Sequence, residues 1–250
     1  MKNNSLRYEY DFINYLDNKK LSDLSEKWQK HLRRMFPQIK NDTVIHCSKH
    51  ENYFAKGDID IRIKGDKKIV SLKNGRNACM HRERFTWLYH DLKDMGVSQE
   101  TLNIITLFQF GECKSFGHLD KPLSREEIVE KYSPEIYEAN KELNSEHILD
   151  MIIKRAVTIG RKEYRLKIDY LYYGNPEKGI LISEDQIYES IKSRKQISSK
   201  WIHFGQLVYQ AGGRSRYNND YLETTIHWPV LSKLFFISED EDDILKCHIN

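Results

Sequence analysis

The chain has 250 residues, of which 39% are hydrophobic and 31% are charged, a balance typical of a folded globular protein. The absence of any run of about 18 apolar residues excludes a membrane-spanning helix, and the N-terminus has no apolar signal segment, which predicts a cytoplasmic protein. The net charge of +3 includes an acidic run at 239–243. The rest of the chain is therefore more basic and suits a polyanionic partner.

The first half of the chain predicts helices around a hairpin. A helix is predicted over Ser22–Met35, with Ser22 as its N-cap, because apolar residues recur there every fourth position. "TVIHCS" at 43–48 predicts a strand, and residues 56–75 predict a β-hairpin. An amphipathic helix is then predicted to begin at Phe85 and to stop before Gly96.

The second half predicts further helices and strands. Capping residues mark helix starts in a helical insertion at about 97–155: Ser98, Ser124 in the capping box "SREE", Ser133 before Pro134, and Ser145. "YRLKIDYLYY" at 164–173 predicts a strand, and Ser183 begins a helix. "WIHFGQLVYQ" (201–210) and "DYLETTIHW" (220–228) predict two strands around a glycine-rich loop. We therefore predict one α/β domain over 1–250, with a mixed central sheet flanked by helices.

Cysteine usage favours reduced thiols. The four cysteines are far apart and form no CxxC pair: Cys47, Cys79, Cys113 and Cys247. A zinc site in "HCSKH", at His46, Cys47 and His50, would need a further ligand such as Cys79 or His81. The spacing matches no common zinc motif, so partly buried thiols are the better interpretation.

The predicted hairpin carries a polar face. A two-residue turn at Gly65–Asp66 would pair Asp60 with Ser71 and Asp58 with Lys73. Because side chains alternate along a strand, these four polar residues would share one face, while isoleucine, valine and leucine occupy the other. The polar face would then gather two carboxylates, a hydroxyl and an ammonium group.

This set of groups suits phosphodiester hydrolysis. Carboxylates can hold Mg²⁺, or Mn²⁺ in its place, which polarises the scissile phosphate. A neighbouring lysine can orient or deprotonate the attacking water and offset the charge that develops on phosphorus. The alternative is an exposed hairpin whose Asp–Lys pair is a surface salt bridge that contributes about 0–1 kcal/mol.

The hairpin residues carry a family resemblance. "GDID…SLK" is similar to the PD-(D/E)XK nuclease signature, with Ser71 in the acidic position. More of the chain resembles one branch, the small restriction endonucleases of the MspI type, which cut four-base sites. The similar segments follow the family's order: "KGDIDIRI", "SLKNGRN", "FTWLYHDLKDMG…QETLNIITLFQFGE" and "IHFGQLVYQAGGRSRYNNDYLETTIHW". They span roughly residues 54–112 and 155–237.

The resemblance implies a restriction-endonuclease-like fold and roles for particular residues. Asp58 matches the family's metal-binding aspartate and Lys73 its catalytic lysine, while Ser71 stands where the family tolerates a neutral residue. The implied metal ligands are Asp58, Asp60 and Ser71. Glu83 resembles the relocated acid of some restriction enzymes and could complete the catalytic set. Glu26, on the N-terminal helix, is a third possible acid.

The resemblance also assigns DNA recognition to a C-terminal segment at about 200–228. Its loop "YQAGGRSRYNND" contains residue types that pair with base edges in the major groove: Gln210, Arg214, Arg216, Asn218 and Asn219. Arg76 and Arg82, near the catalytic lysine, are predicted to contact phosphates. Taken without the resemblance, this segment would be interpreted as a flexible hairpin loop.

The sequence therefore predicts a type II restriction endonuclease that hydrolyses double-stranded DNA with Mg²⁺. A cognate methyltransferase is the implied genetic partner, and the enzyme would be a monomer or a loose homodimer. Two alternatives remain open: a repair or recombination endonuclease of the same fold, and a catalytically inactive DNA-binding protein.

Overall fold

The computed structural model describes residues 4–51, 56–75, 78–117, 121–160, 166–193, 197–212 and 219–233. It is an α/β structure with one mixed and one antiparallel sheet, flanked by helices. The chain divides into two compact units. The first unit comprises Met1–Arg76, Thr158–Ile187 and Leu231–Asn250, and the second comprises Asn77–Val157 and Tyr188–Val230. The single domain predicted over residues 1–250 remains a prediction.

The helices are α1 (Asn4–Leu16), α2 (Glu26–Met35), α3 (Phe85–Asp94), α4 (Gln99–Phe110), α5 (Arg125–Leu143), α6 (Glu146–Ile153) and α7 (Glu184–Lys192). The strands are β1 (His46–Lys49), β2 (Ile59–Ile63), β3 (Asp66–Lys73), β4 (Ala78–Arg84), β5 (Tyr170–Gly174), β6 (Gly179–Ser183), β7 (His203–Phe204), β8 (Leu207–Ala211) and β9 (Glu223–Trp228). No helix within these described segments is long and apolar enough to cross a membrane.

The first unit is built on a five-stranded mixed sheet in the order β1-β2-β3-β5-β6. Only β3 and β5 run parallel, and every other neighbouring pair is antiparallel. Aromatic side chains fill its core: the Trp28 ring stacks on Tyr172 with centroids 5.1 Å apart, and Phe12 meets Tyr172 edge to face. This packing explains why α1 and α2 bury one apolar side each.

The hairpin turn differs from the prediction by one residue. Lys64 and Gly65 both have positive φ, 50° and 93°, and Ile63 pairs with Asp66, so the central pair is Lys64–Gly65. A tight hairpin turn of this kind requires positive φ at both central positions. Asp60 therefore pairs with Ile69, and the predicted pairings of Asp60 with Ser71 and Asp58 with Lys73 are wrong. A shift of two in register leaves every side chain on its predicted face.

The second unit is built on a four-stranded antiparallel sheet in the order β4-β9-β8-β7. Strand β4 was not predicted, and the predicted strand at 201–210 is the hairpin β7–β8. Gly205 makes that turn with φ of 61°, and a Cβ there would lie 2.2 Å from the carbonyl oxygen of Ile191. Only glycine fits this position, so the chain reverses where the sequence predicted a continuous strand.

Most predicted helix starts are confirmed. Ser98 accepts a hydrogen bond from the Thr101 backbone, and Ser124 forms the capping box with Glu127. Within α5 the backbone angles at Tyr132 are non-helical, so two helical segments meet there at a kink. The second segment begins within one residue of the predicted start at Ser133, and Pro134 lies in its first turn, as predicted. In α2 the cap is Ser25 rather than the predicted Ser22.

Candidate active site

Asp58, Ser71 and Lys73 meet at the end of the β2–β3 hairpin in the first unit. The Asp58 N–H donates to the Val70 carbonyl at 2.9 Å, which continues the ladder by one residue beyond β2. The Asp58 Oδ2 atom accepts hydrogen bonds from the Ser71 hydroxyl at 3.0 Å and from the Leu72 N–H at 2.6 Å. Two adjacent positions of β3 therefore hold the carboxylate in one orientation.

Lys73 completes this cluster as an ion-pair partner of Asp58 that makes no direct hydrogen bond to the carboxylate. Its Nζ atom lies 3.8 Å from Asp58 Oδ2, longer than a direct hydrogen bond. The Lys73 side chain is 20% exposed and that of Asp58 is 27% exposed, whereas Ser71 is buried. The carboxylate is thus fixed by its hydrogen bonds, and both it and the ammonium are accessible to a ligand from solvent.

Asp60 does not share this accessibility. Its Oδ1 atom lies 2.6 Å from His50 Nδ1, and its Oδ2 atom accepts from Arg62 at 2.8 Å, with Lys67 at 3.7 Å. The Asp60 side chain is only 2% exposed. Both carboxylate oxygens are occupied by basic partners, so this residue serves the packing of the β1–β2 edge.

The candidate zinc ligands of the "HCSKH" segment lie partly in the interior and partly at the surface. Cys47 is buried, and His46, the preceding residue of the same strand, is exposed. Burial, followed by the charges of Asp17 and Asp60, raises the pKa of the Cys47 thiol to about 12. A thiol of this kind stays protonated and unreactive, and His50 is committed to Asp60.

Glu83 lies in the second unit, on β4, two residues before helix α3 begins. Its carboxylate forms a buried ion pair with Arg155, and Arg155 also pairs with Asp91. The Glu83 Oε1 atom lies 3.3 Å from His81 Nε2. Burial raises the pKa of Glu83, but the His81 hydrogen bond and the Arg155 charge outweigh it, so the pKa is below its ordinary value. Glu83 is 2% exposed and ionised within its own network.

Tyr8 is a residue of this site that the sequence did not indicate. Its hydroxyl, on α1, lies 3.0 Å from the Lys73 carbonyl oxygen and also contacts the Gly174 carbonyl. Burial, reinforced by the negative charge of Asp58, raises the pKa of Tyr8, so the phenol remains a donor. Tyr8 thereby joins the ends of β3 and β5 beside the cluster. Glu26, the acid that the resemblance suggests on the N-terminal helix, is exposed on α2.

Two of the predicted DNA-binding residues share one face of the second unit's sheet. Thr225 of β9 pairs with Arg82 of β4 on one side and with Gln210 of β8 on the other. Side chains of directly opposed residues point to the same face, so Arg82 and Gln210 flank Thr225 in one row. The Arg82 guanidinium is 59% exposed, pairs with Glu223 and lies 3.1 Å from Asp220.

The remaining predicted DNA-binding residues lie outside the described residues. These are Arg76, Arg214, Arg216 and Asn218, together with the side chain of Asn219. Gln210 and Arg82 are therefore the two members of the set whose side chains the structure places.

The donor set at Asp58 fits a weakly held Mg²⁺ rather than a protein cage. Asp58 supplies an accessible carboxylate, and Ser71 supplies a hydroxyl that is hydrogen-bonded to it. No group of three or more histidine, cysteine or acidic side chains in the described segments could hold a metal. Mg²⁺ commonly binds through one or two carboxylates and completes its shell with water and substrate phosphate, and this arrangement suits that mode.

Comparison with known proteins adds no assignment. No family model matches the sequence, and no curated protein matches it significantly. Function is therefore inferred from the site.

Proposed function

We propose that the protein is a Mg²⁺-dependent endonuclease that hydrolyses phosphodiester bonds of duplex DNA, with the PD-(D/E)XK fold and the activity of a type II restriction endonuclease. The observation that carries this proposal is the accessible pair of Asp58 and Lys73, in which Ser71 on the adjacent strand holds the Asp58 carboxylate. The basic character of the chain outside the acidic run supports a polyanionic substrate.

Each side chain of the cluster has a role in hydrolysis. Asp58 and water would hold Mg²⁺, which polarises a phosphate oxygen when bound. Lys73, with its ammonium 3.8 Å from Asp58, orients the attacking water and offsets the charge that develops on phosphorus. The Ser71 hydroxyl and the Leu72 N–H keep the Asp58 carboxylate in place. The attacking water gives up a proton as its oxygen joins phosphorus, one P–O ester bond breaks, and the leaving oxygen takes up a proton.

The experiment is incubation of the protein with unmethylated phage DNA and Mg²⁺, followed by sequencing of the fragment ends. We expect discrete fragments with a common end sequence, no cleavage in chelator, and no cleavage by Lys73→Ala, which should still bind DNA. Lys73→Ala should lower the rate by about 10²–10⁴-fold. Cleavage by Lys73→Ala at the wild-type rate would show that the hairpin is a surface feature.

We propose that residues of the second unit recognise the base sequence of the DNA. Arg214→Ala or Arg216→Ala should weaken cognate binding by about 5- to 150-fold, because a bidentate arginine–guanine contact contributes about 1–3 kcal/mol of discrimination. Binding to scrambled duplexes should change far less. If both variants keep the wild-type ratio of cognate to scrambled affinity, bases are read elsewhere. We also propose that a cognate methyltransferase, encoded with this enzyme, protects the DNA site that the enzyme cuts.

Because Asp58 supplies the cluster with one accessible carboxylate and Ser71 supplies none, a second candidate is a catalytically inactive DNA-binding protein. Ser71 stands where an acid would give Mg²⁺ a second carboxylate, and Asp60 is committed to His50 and Arg62. This alternative predicts tight duplex binding with no fragments at any Mg²⁺ or Mn²⁺ concentration. A repair endonuclease would instead cut mismatched or branched duplexes without a common end sequence.

A further inference from the structure

The second unit contains a pocket of about 500 Å³ beside its antiparallel sheet. The residues that give it its chemical character are Arg125, Trp201, His203, Gln210 and His227. None of the described residues that line it is acidic. The pocket belongs to the second unit, whereas Asp58 and Lys73 belong to the first.

The sheet supplies one wall of the pocket. Val208 of β8 is paired with His203 of β7 and with His227 of β9, so these three side chains point to one face. Gln210 lies two residues further along β8 and shares that face. The pocket therefore opens on the same face as the row that contains Arg82, Thr225 and Gln210.

Trp201 and Arg125 form the aromatic part of the pocket. The Arg125 guanidinium carbon lies 3.1 Å from the centroid of the Trp201 ring, a close cation–π stack. Trp201 nevertheless keeps 43% of its surface exposed, so part of the indole remains open to a ligand. An exposed indole beside a cation is the arrangement on which proteins stack planar rings.

Buried asparagines hold this wall in place. The Asn140 side-chain amide donates to the carbonyl oxygens of Ser198 and Trp201, each at 2.6 Å, and its oxygen accepts from the His203 N–H at 2.7 Å. Asn140 is 0% exposed. Asn144, the C-cap residue of α5, donates to the His203 carbonyl at 3.1 Å. The pocket is thus fixed before any ligand arrives.

His203 provides a polar group without a partner inside the pocket. The residue is 6% exposed, and its Nδ1 atom is buried with no hydrogen-bond partner among the described residues. Burial, followed by the charge of Arg125, lowers the pKa of His203 to about 4, so the ring is neutral near pH 7. A neutral imidazole offers one donor and one acceptor, as does the Gln210 amide.

We infer that this pocket binds an unstacked nucleobase of a DNA strand. A base presents a planar ring that can stack on the exposed indole, and an edge with donors and acceptors for His203 and Gln210. The phosphate of the same nucleotide suits Arg125. The inference rests on the proposed function only in taking DNA as the ligand. It adds a site that contacts a base removed from the helix stack.

The test is binding of a short single-stranded oligonucleotide of mixed sequence, measured by fluorescence anisotropy in chelator, so that no cleavage is required. Trp201→Ala should weaken binding by about 5- to 150-fold, because base–aromatic stacking is lost. Trp201→Phe keeps an aromatic face and should retain most of the affinity. Trp87→Ala is the matched control, since Trp87 is 42% exposed on α3 and should leave binding unchanged.

A second ligand separates base from phosphate recognition. The same strand with abasic sugars carries equal charge, and the wild type should bind it more weakly by a similar factor. Trp201→Leu fills much of the space without an aromatic face and replaces Trp201→Ala if circular dichroism shows that variant to be unfolded. Equal binding of both strands, or wild-type affinity in the variants without an aromatic ring, would overturn the inference. A protein that cuts no DNA but needs Trp201 to bind the strand would refute the nuclease and uphold the pocket.

Discussion

Asp58 and Glu83 are both acids that the sequence offered for catalysis, and they lie in opposite environments. Asp58 is 27% exposed, is held by neutral donors of β3, and has its ammonium partner at 3.8 Å. Glu83 is 2% exposed and is bound directly by the Arg155 guanidinium. An acid whose charge is already matched in a closed network has little capacity for a metal or a phosphate. Accessibility and the distance to the cation therefore distinguish a site residue from a structural one.

The largest expected effect is on the cleavage rate of Asp58→Asn. The substitution keeps the shape of the side chain but removes its charge, so the rate should fall by about 10²–10⁴-fold if Asp58 holds Mg²⁺. The measurement is single-turnover cleavage at saturating protein. Asp60→Asn is the comparison, and it should keep a rate within about tenfold of wild type while losing stability, since Asp60 serves His50 and Arg62. A folded Asp60→Asn variant without activity would return Asp60 to the site.

Glu83→Gln tests the other side of the contrast. Removal of one charge leaves the buried Arg155 with Asp91 as its remaining acid, so the free energy of unfolding should fall by about 3 kcal/mol. Chemical denaturation measures this change. The matched control is Glu138→Gln, because Glu138 and Lys141 form an exposed pair and its loss should change stability by less than about 0.5 kcal/mol. Equal, small effects would mean that the Glu83 network is not structural.

His203 gives the second unit a pH dependence. Its pKa is about 4 in the folded protein and about 6.5 in the unfolded chain, so the unfolded state binds more protons between these values. Stability from this group is complete above pH 6.5, falls as the pH decreases towards 4, and changes no further below. The loss should reach up to about 3 kcal/mol. Denaturation of wild type and His203→Gln at several pH values isolates it, and parallel curves would contradict the assignment.

The smallest effect is expected for Arg82→Ala. Arg82 is exposed and pairs with Glu223, so its removal should barely alter folding. As a phosphate contact, it should weaken cognate and scrambled duplexes alike and reduce the slope of log K against log salt by about 1. Binding to both duplexes at two salt concentrations measures this. A change confined to the cognate duplex would make Arg82 a base reader.

The elements that local patterns determine could be predicted from the sequence. Ser98 and Ser124 cap helices through contacts with residues three positions away, and the polar and apolar faces of the β2–β3 hairpin follow from alternation. Strand β4 could not be recognised, because its sequence "ACMHRER" is polar and its partner, β9, lies far along the chain. The turn between β7 and β8 depends on the close approach of Gly205 to Ile191, which no local pattern reveals.

The site could be predicted only where its contacts are local. Asp58, Ser71 and Lys73 lie on one hairpin, so alternation alone brings them to one face. The commitment of Asp60 to His50 depends on where β1 ends, and the Arg155 partner of Glu83 is 72 positions away. Tyr8 reaches Lys73 across a separation of 65 residues. Contacts of this range follow from packing, which sequence spacing does not determine.

The parallel pairing of β3 with β5 has a consequence for the order in which the chain is synthesised. Val70 and Tyr170 lie side by side in the sheet, although about 100 residues separate them. As the chain leaves the ribosome, β1, β2 and β3 emerge before β5, and the edge of β3 that does not pair with β2 has no partner until β5 follows. An open strand edge of this kind can pair with another nascent chain. Slow translation between these strands should therefore favour aggregates, and binding of a chaperone to the early hairpin should protect the yield.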